Sequence, residues 1–96
     1  MSQHLIFNFR LYVAGDALNS AQALANLTNL CKTRLPDRHQ IEVVDVYLEP
    51  KRALADGIFM TPTLIKLTPT PTRKIVGSLN PMQPMLLLLG LETSTA

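Results

Sequence analysis

A chain of 96 residues with 47% apolar and 17% charged side chains can bury one small core, which excludes a disordered chain and leaves no room for a second domain. A net charge of +2, a pI near 9.0, two Tyr, three Phe and no Trp lack the dense basic stripe with stacking aromatics that a nucleic-acid module needs. A single cysteine excludes an internal disulfide, no apolar run approaches the ~20 residues of a bilayer span, and Met1-Ser2-Gln3-His4 lacks a basic signal region, so one soluble, cytoplasmic domain over 1–96 is expected.

Leu5 to Val13 reads as the first strand, because Phe9, Leu11 and Val13 alternate with Arg10 and Tyr12. It stops at Gly15, and Asp16 and Asn19 offer side-chain oxygens to a helix start. Ser20 to Leu35 is that helix: Leu24, Leu27, Thr28, Cys31 and Leu35 recur at three- and four-residue spacing, and Pro36-Asp37 ends it. Cys31 on this apolar face reads as a packed, inert thiol. Ile41 to Leu48 is a nearly continuous β-branched run, expected to be a strand covered on most of both faces and parallel to the first. Glu49-Pro50 opens a short helix that Gly57 stops.

Pro62, just before the next strand, is a candidate cis peptide. Ile65 to Thr68 reads as a strand, Pro69-Thr70-Pro71 as a stiff turn and Arg73 to Val76 as the antiparallel partner. Met85 to Leu91 is too short and too uniformly apolar for periodicity to separate helix from strand, and residues 93–96 read as a frayed tail. With a final helix the order is βαβαββα, that of thioredoxin without its cysteine pair.

Catalytic patterns are weak. Ser20 or Cys31 as nucleophile would need a histidine, and His4 and His39 lie at a terminus and in a polar loop. Asp45 and Glu49 could pair as carboxylates, but a strand-end Asp capping the following turn explains Asp45 more simply. No ligands cluster for a metal, and no cofactor motif is present. Lys51-Arg52 and Arg73-Lys74, with Lys66, would suit an acidic protein partner if they lie together.

The joint order of several short motifs resembles the circadian-clock KaiB family from Phe9 to Glu92. They are Leu11-Tyr12-Val13-Ala14-Gly15 with Asn19-Ser20 and Ala23-Leu24, Val44-Asp45-Val46, Thr61-Pro62-Thr63-Leu64 with Lys66, then Pro69, Pro71, Arg73, Ile75, Gly77 and Gly90-Leu91-Glu92. The resemblance implies a non-enzymatic adapter that binds a KaiC-type ATPase and modulates its cycle, captures KaiA and displaces the SasA kinase. It places partner-binding residues at Thr63, Lys66 and Arg73, beside the basic Lys51 and Arg52, and fold-switch residues at Tyr12, Gly90 and Glu92. It also implies dimers or tetramers, and two packings of one sequence. One is an unbound, self-associated form ordered βαββααβ, expected for the free chain; the other is the thioredoxin-like form, expected when the partner is bound.

Glu42 and Gly57 stand where clock members carry lysines, Gln22 replaces an arginine, Ser78 an aspartate, and the acidic tail is absent. These departures weigh against KaiA capture and favour a divergent paralogue or a stress-linked relative over the core oscillator subunit. The rival readings are an interaction module like the SasA sensor domain and a thioredoxin-type oxidoreductase, the latter disfavoured by the lone cysteine.

Overall fold

The central strand decides the architecture. In the computed structural model, which describes residues 6–77, β1 (Phe7–Val13) lies between β2 (His39–Asp45), parallel to it, and β3 (Thr63–Thr68), antiparallel to it. β4 (Arg73–Val76) pairs antiparallel with β3, giving the strand order β2-β1-β3-β4. Helices α1 (Leu18–Arg34) and α2 (Pro50–Ala55) fall between β1 and β2 and between β2 and β3. Of the two expected orders, the described residues therefore have the thioredoxin-like one, with a helix rather than a hairpin turn after β2. Met85 to Leu91, Gly90, Glu92 and the tail lie outside the described residues.

Alternation on β1 feeds two cores. Phe7, Phe9, Leu11 and Val13, with Leu64 of β3, pack against Ala23, Leu27, Leu30 and Cys31 of α1. Tyr12, Val44 and Ile65 face the other way and meet Ala53 of α2 and Ile58. At roughly 25 cal/mol per Å² of apolar surface, the α1 layer supplies most of the stabilisation, because α2 brings only Ala53 from its six residues.

Three local expectations change. Neither Asp16 nor Asn19 caps α1. The helix begins at Leu18, earlier than Ser20, so its cap is Ala17, with no side-chain hydrogen bond, and Asn19 is already inside the first turn. The Ser20 hydroxyl instead accepts the Ala14 N–H at 3.1 Å, and Gly15 turns the chain at φ +53°. Second, β2 is an edge strand with only Val44 buried, not a strand covered on both faces. Third, it ends at Asp45, whose Oδ1 accepts the Tyr47 N–H at 2.8 Å while its carbonyl accepts those of Leu48 and Glu49. That Asx turn diverts the β-branched run and leaves Tyr47 and Leu48 exposed.

The end of α2 follows the glycine rule. Gly57 sits at φ +69°, its N–H donates to the Leu54 carbonyl and that of Ile58 to Ala53, the paired bonds of a Schellman motif. Pro62 is cis, as are Pro69 and Pro71 in the β3–β4 turn.

Candidate functional site: the α2 face

Arg10 and Glu42 are register partners on adjacent parallel strands, so their side chains emerge side by side. Arg10 Nε donates to Glu42 Oε1 at 2.9 Å, and its Nη1 to Asp56 Oδ2, at the end of α2, at 3.0 Å. Arg52 of α2 reaches down to Glu42 Oε2 at 2.8 Å and sideways to Glu49 Oε1 at 3.3 Å. Beneath this ladder the fully buried Tyr12 donates its hydroxyl proton to Asp56 Oδ2 at 2.6 Å. Burial, reinforced by Asp56, pushes the Tyr12 phenol up to about 12. The Tyr12 and Arg10 hydrogen bonds hold the Asp56 carboxyl below its ordinary range, and Arg10 and then Arg52 do the same for Glu42. Three elements are thus joined by one chain of charged hydrogen bonds.

The segment that carries Arg52 and Asp56 also exposes apolar side chains. Tyr47, Leu48, Leu54, Phe59 and Met60 are all exposed, Phe59 by 88%, and all fall between the end of β2 and the start of β3. The Tyr47 ring lies over Gly15, where a Cβ would come within 3.6 Å of it, so the surface reaches the β1–α1 turn.

The basic residues expected to act together are divided by the sheet. Lys51, exposed, and Arg52 lie on α2. Lys66 faces the α1 side, its Nζ 6.0 Å from the Phe7 ring centroid, and Arg73 is its register partner on β4. Lys66 is 4% exposed, and burial, then Arg73, lowers its pKa. Lys74, one residue on, points to the α2 side and donates to the Asp56 carbonyl. The Thr63 hydroxyl is turned inward, donating to the Met60 carbonyl at 2.6 Å across Pro62. Tyr12 sits in the α2-side core, whereas Gly90 and Glu92 lie outside the described residues.

Groups that could carry chemistry have structural partners. His39 opens β2 and its Nδ1 donates to the Leu35 carbonyl at 2.7 Å. Burial pushes the Cys31 thiol up to about 11, far from a reactive thiolate. Among the described residues no group of three His, Cys, Asp or Glu could hold a metal ion, and no helix is long and apolar enough to cross a membrane.

The KaiB domain family matches residues 10–91. The chain belongs to the KaiB family. The circadian clock protein KaiB3 of Synechocystis is similar, 40% identical over 83 residues, covering 86% of this chain and 79% of that protein. Among solved structures, the N-terminal domain of Synechococcus elongatus SasA superposes with a TM-score of 0.74 at 15% identity, over 100% of this chain and 94% of that one. The thioredoxin Deadhead of Drosophila melanogaster gives 0.72 at 10% identity, over 91% and 82%. At such identities the two structures speak for the fold alone, which in this chain is thioredoxin-like. KaiB relatives are clock proteins, and the sequence reading of this chain as KaiB-like holds over most of its length.

The ladder is what sequence reasoning missed. A signal existed in part: Arg10 and Glu42 interrupt two apolar strands at matching positions, but pairing them requires the register.

Proposed function

We propose that the chain is a non-enzymatic, cytoplasmic adapter that docks on a KaiC-type ATPase through the α2 face and modulates its ATPase and phosphorylation cycle. One observation carries the reading: a KaiB-family chain exposes Leu54, Phe59 and Met60 on the segment that also carries Arg52 and Asp56 of the charge ladder. Lys51 and Arg52 rim this surface. Arg73, exposed on the other sheet face with the buried Lys66 as its register partner, is a separate basic contact for an acidic segment of the same or a second partner. The similarity to KaiB3 supports a paralogue with its own ATPase, and competition with a SasA-like kinase is what the KaiB resemblance implies. Glu42 disfavours a KaiA-like partner on β2. A homodimer or homotetramer in the free state completes the reading.

The test is binding to each KaiC-type ATPase of the source organism, measured for wild type and for Leu54→Ser with Phe59→Ser. These side chains are exposed, so the variant folds, and loss of central apolar contacts is expected to weaken binding by at least about tenfold. Equal affinity would overturn the placement of the surface, and absence of binding to every such ATPase would overturn the function.

A further inference from the structure

Helix α2 is held in place differently from α1. Of its six residues only Ala53 is buried, whereas α1 buries Ser20, Ala23, Leu27, Leu30 and Cys31. Its cap, Glu49, makes no side-chain hydrogen bond to the helix start. Isolated helices below about 12–15 residues are marginal in water, so α2 does not outlast its docking on the sheet. Two residues carry that docking, Arg52 and the C-cap Asp56, four positions apart and so on one face. Arg52 Nη2 donates to Glu42 Oε2 of β2 at 2.8 Å. Asp56 Oδ2 accepts from Arg10 at 3.0 Å and from the Tyr12 hydroxyl at 2.6 Å, both on β1, and the Asp56 carbonyl accepts from Lys74 of β4. The remaining pair, Arg52 with Glu49, stays within the segment.

We propose that residues 49–58 form a flap latched by charge, which leaves the sheet as one unit while the strands and α1 stay folded, and that the Arg52–Glu42 and Asp56–Arg10–Tyr12 contacts set how often it opens. The inference goes beyond docking, because it concerns the free chain and holds whether or not a partner binds α2. Opening severs no strand pairing, since β1 keeps both neighbours through backbone bonds, and the α1 core lies on the opposite face of the sheet. It uncovers Tyr12, Val44 and Ile65, which pack with Ala53 and Ile58 of the flap. That apolar cover also resists opening, but the two contributions respond differently to salt. Sodium chloride screens charged partners whose side chains are between 24% and 47% exposed, and it does not weaken apolar burial.

Amide hydrogen exchange in the free, full chain tests the latch. The reporters are the N–H groups of Ala53, Asp56, Gly57 and Ile58, bonded to the Glu49, Arg52, Leu54 and Ala53 carbonyls, and the amides around Leu27 in the middle of α1 are the reference. Corrected for intrinsic rates, the flap amides should exchange at least about 10-fold faster than the reference, as a separate unit. Raising sodium chloride from about 0.05 to 0.5 M should speed them about 3-fold further relative to α1. Glu42→Gln keeps the shape and removes the charge; it should speed them about 3- to 10-fold at low salt, and add nothing in an Arg52→Gln background. Lys51→Gln changes an exposed α2 charge outside the ladder and should leave the rate within about 2-fold. A common rate for flap and α1 overturns the proposal. So does a flap rate that salt or Glu42→Gln leaves unchanged or slows, which would make the apolar cover the holding force, or a Lys51→Gln effect as large as that of Glu42→Gln.

Discussion

Tyr12 gives its hydroxyl proton to a carboxylate inside the sheet–α2 layer, so removing that hydroxyl leaves Asp56 short of a donor in a partly buried place. Tyr12→Phe is expected to lower stability by about 1–3 kcal/mol in urea unfolding at pH 7. It also changes the alkaline limb. The folded phenol titrates at about 12 against 10.0 for the free side chain, so its contribution is complete below pH 10 and is lost as pH rises toward 12. Wild type should lose stability across that window, and Tyr12→Phe should lose less. For Asp56 and Glu42 the sign is opposite. Both folded carboxyls lie below their ordinary values, so their contribution is present above the unfolded value near ~4 and disappears on acidification below it. Asp56→Asn should flatten the acid limb of a stability–pH curve, and a curve as steep as wild type would remove the ladder from the account of acid sensitivity.

Helix ends offer the next test, because α1 and α2 are capped so differently. Ala17 has extended backbone angles, φ −55° and ψ 141°, and no side-chain oxygen. Ala17→Ser should raise stability by about 1 kcal/mol. Gly57→Ala should lower it by about 1–2 kcal/mol, since φ +69° is costly for an L-residue and a Cβ would press on Lys74 Nζ at 3.3 Å. Equilibrium urea unfolding reads both. The start and the stop of α2 were legible in Pro50 and Gly57, because local backbone chemistry alone decides them. Strand alternation likewise revealed β1, and the Pro69-Thr70-Pro71 turn revealed the β3–β4 hairpin. The depth of β2 was not legible, since a β-branched run looks the same at an edge as in the middle of a sheet; sheet order decides, and that is a tertiary fact. For the same reason Lys66 and Arg73 could be grouped with Lys51 and Arg52 by charge, although strand parity puts them on opposite faces.

At the scale of the molecule, we propose that the free chain self-associates, because an apolar run such as Met85–Leu89 in a chain of 96 residues tends to be buried between subunits. Sedimentation at tens of micromolar, where interfaces of Kd ~10⁻⁵ M are populated, should detect a species larger than one chain. We further propose that the oligomer has the βαββααβ order and that Gly90→Ala with Glu92→Arg shifts the population toward the thioredoxin-like form, read as new NMR peaks and faster ATPase binding. Unchanged spectra and rates would place the switch elsewhere. The lone cysteine supplies an independent handle on such rearrangements. Cys31 is fully sealed between α1 and β1, and its proton is held tightly, so a thiol reagent reacts only with molecules whose helix has lifted from the sheet. The unaltered protein thus carries its own stopwatch. A labelling rate proportional to reagent reports the fraction open, a plateau reports how often α1 leaves, and a partner that clamps the described packing must slow both.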